Sequence, residues 1–282
     1  MRLRHDARTP VLVALILTMA LVAMDTTILA TAVPQVVGDL GGFDQVGWVF
    51  SGYLLAQTVT IPIYGKLADL YGRRPILIFG VVAFLIGSAL SAASWNMATL
   101  AIFRAIQGLG AGAISATVQT VAGDLYTVAE RGRIQGYLAS VWGISAVIAP
   151  ALGGFFAQYL TWRWIFLVNI PIGVFALYLI ARDLHEDVVR RPHRIDYLGA
   201  GLVLVSAGLF ILGLLSGGVH WSWTSPTSVV VFTGAALAGV ALLVVESRAA
   251  EPVLPLSMLT RRLTAPSFAA TATAGMIVIG LS

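Results

Sequence analysis

The chain has 282 residues, of which 58% are hydrophobic and 11% charged, and its mean hydropathy is +0.89. Soluble domains carry roughly 25% charged residues, so this composition excludes an ordinary soluble domain and indicates a polytopic membrane protein. With no Cys there is neither a disulfide framework nor a thiolate metal site. The net charge of +4 is accounted for by the placement of the basic residues and not by nucleic-acid binding.

A membrane-crossing helix needs about 20 apolar residues. In chain order the apolar runs predict spans at 10–33, 48–68, 75–94, 98–122, 135–158, 164–181, 197–217, 229–245 and 264–282. The first follows a basic start. It is too long for a signal-peptide core, and Asp25 interrupts it. Residues 1–181 therefore read as a six-span unit and 182–195 as a basic inner loop. Residues 196–246 read as a two-span hairpin, and 247–263, with Pro252 and Pro255, as an inner surface connector. The segment 264–282 is the ninth span.

An N-terminus on the cytoplasmic side places Arg2, Arg4, Arg8, Lys66, Arg73, Arg74, Arg131, Arg133, Arg182, Arg190, Arg191, Arg194, Arg248, Arg261 and Arg262 inside. Only Arg163 falls outside, and Arg104 lies within a span. That asymmetry is the positive-inside pattern. Trp48, Trp95, Trp162, Trp164, Trp221 and Trp223 fall at outer span ends or in outer loops, as an interfacial belt requires. Trp142 lies within a span, facing either a cavity or lipid.

Asp25 and Arg104 are the informative residues. A charge in hydrocarbon costs ~3 kcal/mol on insertion scales, so two charges at comparable depth are expected to pair or to work. Counted from the outer ends of their spans they lie ~12 Å and ~9 Å deep. In one reading Asp25 binds a proton or a cationic substrate beside Arg104. The opposite charge favours the ionised carboxylate, and desolvation favours the neutral form. In the other reading the two form a static structural ion pair. Gln107, one turn beyond Arg104 on the same face, is placed either to orient the guanidinium or to contact ligand. Gln57 and Asn169 face either the cavity or neighbouring helices. Gly108, Gly110 and Gly112 read as close helix packing, not a phosphate loop.

The loop Gly65-Lys66-Leu67-Ala68-Asp69-Leu70-Tyr71-Gly72-Arg73-Arg74 combines glycines for close approach and a tight turn with an acid among basic neighbours. Asp124, Glu130, Arg131 and Arg133 read as an inner loop, solvated or paired with 65–74. Asp196 reads as a helix N-cap.

The 65–74 loop resembles the signature of the major facilitator superfamily. Met24 to Pro34 resembles the first-helix motif of its drug:proton antiporters, and Arg104 to Gly110 the fourth-helix motif. Gly143 to Gly154, with Pro150, Gly153 and Gly154, resembles the antiporter motif of the fifth helix. Trp162 to Gly173 resembles the start of helix six in the branch with fourteen spans. Ala149 stands where the antiporter motif usually has Gly, Ala30 where Asn is common and Leu70 where a basic residue is common.

The resemblance implies an all-α membrane bundle of the major facilitator type. The chain would hold the N-terminal six-helix half, a linker hairpin and the first helix of the second half, with about five further spans to follow. The implied activity is proton-coupled multidrug efflux by alternating access. It would have no cofactor beyond the proton gradient, and its partners would be a lipophilic or cationic small molecule, protons and the lipid bilayer. Asp25, Arg104 and Gln107 would couple; Gly65, Asp69, Gly72, Arg73 and Arg74 would gate; Gly143, Pro150, Gly153 and Gly154 would seal. The implied location is a bacterial cell membrane. Alternatives are a metabolite exporter or importer on the same fold, or a non-transporting half-bundle.

Overall fold

The computed structural model describes residues 8–186 and 197–248, together with Thr273. The predicted ninth span, the connector beyond Arg248, the loop residues 187–195 and Asp196 lie outside the described residues. The chain falls into two compact units, Met1–Arg191 and Pro192–Ser282.

In the first unit the first span is a composite. Helix α1, Arg8–Ile28, gives way to a 3-10 turn at Leu29–Ala32, and α2, Val33–Leu40, continues beyond it. Four side chains act on this break. Thr26 and Thr27 return their hydroxyls to carbonyls one turn earlier, and Thr31 donates to the Ile28 carbonyl at 2.8 Å. Such back-bonding loosens and bends a helix. Pro34 then sits in the first turn of α2, where its missing N–H costs nothing. The sequence reading ended this span at 33. The proline starts a helical segment here instead of stopping one.

Gly41 and Gly42, both at left-handed φ (66° and 68°), reverse the chain. Helices α3 (Val46–Tyr71), α4 (Arg73–Ala92), α5 (Met97–Leu125) and α6 (Val128–Tyr159) follow. The sixth span is split at Val168 into α7 (Trp164–Leu167) and α8 (Asn169–Asp183). Helix α6 starts seven residues before the predicted 135, because the Glu130 carboxylate accepts from the Thr127 N–H and hydroxyl, both at 2.9 Å, and closes its first turn. Glu130, Arg131 and Arg133 are therefore helical, not loop residues. Arg131 turns back to the Tyr126 and Gly123 carbonyls and caps the end of α5.

Packing in this unit follows a paired pattern. Helix α5 packs on α3 and α4, while α1 packs on α6 and α8; α1 also meets α5, and α4 meets α8. Exchanging spans one, two and three with four, five and six leaves this set of pairings unchanged, as two three-helix repeats require. Glycines make the closest approaches possible. A Cβ on Gly108 or Gly112 would strike the backbone of α3 at Tyr53 or Gln57, and one on Gly110 would strike α4 at Gly80 and Phe84. Two apolar clusters result. One contains Leu15, Val22, Phe84, Ile114 and Val118, the other Ile28, Val49, Leu100, Ala149 and Phe166.

In the second unit α9 (Tyr197–Ser216) and α10 (Pro226–Arg248) form a hairpin. Its turn uses Gly218 at φ 78°, and Trp223 stacks on Phe232 with ring centres 6.4 Å apart. Seven helical segments among the described residues are long and apolar enough to cross a membrane, and α9 adds a shorter apolar run, Leu198–Leu214.

Candidate functional site

The functional candidates gather where the two apolar clusters meet. Asp25 comes from α1, Arg104 and Gln107 from α5, Ser88 from α4, Asn169 from the first turn of α8 and Tyr53 from α3. All six are buried; Asp25 and Arg104 are each 1% exposed and Gln107 0%.

Arg104 Nη1 donates to Asp25 Oδ2 in an ion pair and also to Gln107 Oε1 at 2.9 Å. Gln107 Nε2 donates to Asp25 Oδ1 at 2.8 Å. The carboxylate thus takes both the cation and the amide that orients it. Asn169 Nδ2 reaches Asp25 Oδ1 at 3.4 Å and Ser88 Oγ at 3.0 Å, and Ser88 donates to the Phe166 carbonyl at 2.8 Å. That carbonyl lies just before the break at Val168. The network therefore ties the interrupted sixth span to the acid of the first. Arg104 Cζ also lies 4.1 Å from the centre of the Tyr53 ring and 5.9 Å from that of Phe166.

The structure brings Asp25, Arg104, Gln107 and Asn169 into one contact set. Gln57 is elsewhere: its Nε2 donates to Ser115 Oγ at 3.2 Å, a helix–helix bond between α3 and α5. Ser88 and Tyr53 carry no signal in the sequence. Each looks like an ordinary residue of an apolar helix, and only the fold turns them inward.

A second cluster lies at the end of the unit that carries Arg8. Arg73 joins Asp69 (3.2 Å), Asp124 (3.0 Å) and Glu186 (3.4 Å). Glu186 also accepts the Arg73 and Arg74 backbone N–H groups at 2.6 and 3.1 Å, so a carboxylate caps the positive end of α4. The structure gives the cap to Glu186, just beyond span six, and keeps Asp69 for the guanidinium one turn away. Arg74 Nη2 donates to the Ala181 carbonyl at 2.7 Å. Gly72, at φ 98° between α3 and α4, makes the tight turn. Gly65 does not serve close approach within this unit, because a Cβ there would meet nothing within 4 Å.

The antiporter-motif positions divide in the same way. Pro150 lies inside α6. Gly153 is a true close approach: a Cβ would meet the Ile28 carbonyl at 2.7 Å, beside the 3-10 turn. Gly143 and Gly154 have open space around them within this unit. Trp142 is 42% exposed. At the opposite end Arg163 pairs with Asp39 at 2.7 Å, and Trp162 donates from Nε1 to the same carboxylate at 2.9 Å. Trp162 is buried and packs edge-on to Phe166, which removes it from the expected interfacial belt.

Comparison with known proteins bears on this arrangement. The family model described as Major Facilitator Superfamily matches residues 15–195. The multidrug transporter protein MdtP of Bacillus subtilis (strain 168) is 38% identical over 259 residues, covering 92% of this chain and 48% of that protein. Multidrug resistance protein 3 of the same organism is 39% identical over 255 residues, covering 90% and 50%. The chain thus spans about half the length of these curated relatives. The crystal structure of the human organic anion transporter MFSD10 (TETRAN) matches with a TM-score of 0.60 at 19% identity, over 73% of this chain and 55% of that one, and shares its fold.

Proposed function

This chain belongs to the Major Facilitator Superfamily, and from that premise we propose that it forms the first half of a proton-coupled multidrug exporter of the fourteen-span drug:proton antiporter branch. In this reading it is a multi-pass protein of the cell membrane with a cytoplasmic N-terminus, and α9 and α10 are the linker hairpin. The observation that carries the reading is the buried Asp25–Arg104–Gln107–Asn169 network. It supplies one titratable carboxylate inside the bundle, held by the span that equates with its own under the repeat exchange. The names of the two Bacillus relatives support efflux of drug-like molecules.

The mechanism then follows from charge. A proton arriving at Asp25 cancels its charge and weakens its hold on Arg104, Gln107 and Asn169. Asn169 and Ser88 pass that change to the broken sixth span, and the bundle reorients. Loss of the proton on the other side restores the pair. A lipophilic cation competes with the proton for the same carboxylate, so each turn exchanges one for the other. The Arg73 cluster and the Gly153 contact act as the points that hold or release the two ends.

The test is efflux of a lipophilic cationic dye from everted membrane vesicles bearing the full-length protein. Asp25→Asn abolishes proton-driven efflux, and Asp25→Glu preserves part of it. Undiminished efflux by the Asn variant would remove Asp25 from the mechanism and leave the ion pair as a static support.

A further inference from the structure

Protonation of Asp25 creates a problem that the hydrogen-bond network does not solve. Among its partners in this structure Arg104 has one carboxylate, the Gln107 amide oxygen, the Val49 carbonyl at 3.5 Å and the faces of two aromatic rings. When Asp25 is neutral, the guanidinium is the charge left in this network among the described residues. The titratable groups facing this point are Asp25 from α1, Arg104 from α5 and Tyr53 from α3, whereas α4 and α8 contribute Ser88 and Asn169, which do not titrate. An arginine cannot shed its proton, so something that does not titrate with Asp25 must hold it.

We infer that Tyr53 is a positioning residue of the coupling site, its ring holding the Arg104 charge when Asp25 takes up a proton. The inference rests on the reading of Asp25 as the proton carrier. Two observations converge on it. The guanidinium carbon lies 4.1 Å from the ring centre, at a site closed to solvent, where a cation–π contact is strongest. The Tyr53 hydroxyl is buried and has no hydrogen-bond partner among the described residues. A buried phenol is usually anchored by that hydroxyl, so it is the ring face, not the oxygen, that makes the defined contact here. The ring draws the guanidinium more strongly as the carboxylate lets go. Removing the ring therefore makes the protonated state harder to reach and leaves the ionised pair in place.

The experiment measures Asp25 directly. In the full-length protein reconstituted into liposomes, the infrared carbonyl band of the protonated Asp25 carboxyl, identified by its loss in Asp25→Asn, is followed against pH. Dye efflux is followed in parallel. Tyr53→Leu moves the midpoint of the band about one pH unit lower, a tenfold change, while Tyr53→Phe stays near wild type. A graded series of fluorinated phenylalanines at position 53 keeps the ring's shape and weakens its negative face, and the midpoint falls step by step with fluorination. The series also serves where Tyr53→Leu does not fold. An unmoved midpoint across the series overturns the inference, as does an equal shift in Tyr53→Phe and Tyr53→Leu, which would assign the effect to the hydroxyl. A band that moves while the pH profile of efflux does not would leave the Tyr53–Arg104 contact intact and remove Asp25 from coupling, so the two readings fail separately.

Discussion

Asp25 and Arg104 are individually expensive and jointly tolerable. Each is closed to solvent, and each has its charge met by the other and by amides. Breaking a buried pair from one side leaves an uncompensated charge, which costs about 3–5 kcal/mol. Arg104→Ala should therefore lower the thermal midpoint of the purified protein sharply. The double change Asp25→Asn with Arg104→Gln should recover much of the loss, because no bare charge is left. If Arg104→Ala unfolds at the wild-type temperature, the pair does not support the fold. Arg104→Lys should fail to support efflux, since an ammonium lacks the flat guanidinium that lies over the Tyr53 ring.

Glycine positions separate helix contacts that hold the bundle from surfaces left open. A methyl on Gly110 would meet backbone atoms of Gly80 and Phe84 on α4, with 2.6 Å to the Gly80 carbonyl oxygen, and neither can move aside alone. Gly110→Ala should cost about 1–3 kcal/mol, read as a fall in thermal midpoint. Gly72→Ala forces φ 98° on a residue with a Cβ and should cost about 1–3 kcal/mol. Gly65→Ala and Gly143→Ala meet nothing within 4 Å and should stay within about 0.5 kcal/mol of wild type. Any loss of transport in those two variants then reports on function, not folding. The helices themselves were legible in the sequence, because long apolar runs admit few other structures in a membrane. Their ends were less so: the restart at Pro34 and the closure of α6 by Glu130 depend on single local bonds that hydropathy does not register. In the site, Asp25, Arg104 and Gln107 stood out as polar groups in apolar runs. Ser88, Tyr53 and Glu186 did not, since their parts depend on helices distant in sequence folding against them.

The six-span unit carries its basic residues at one end, apart from Arg104 inside the bundle and Arg163 at the other end. Because the chain contains no cysteine, single introduced cysteines report orientation without background. Thr127→Cys should react with an impermeant thiol reagent only in everted vesicles, and Phe43→Cys only in intact cells; the opposite result would invert the proposed topology. The apolar clusters on either side of the Asp25 network have an electrical consequence. They are insulating layers, so the membrane voltage falls across them, and a proton reaching Asp25 from either side crosses only part of that drop. The whole drop is worth ~2.3 kcal/mol per 100 mV for one charge. Exchange of a singly charged cation for one proton moves no net charge and should proceed at a rate indifferent to an imposed diffusion potential, whereas exchange of a neutral molecule should quicken as the interior is made more negative.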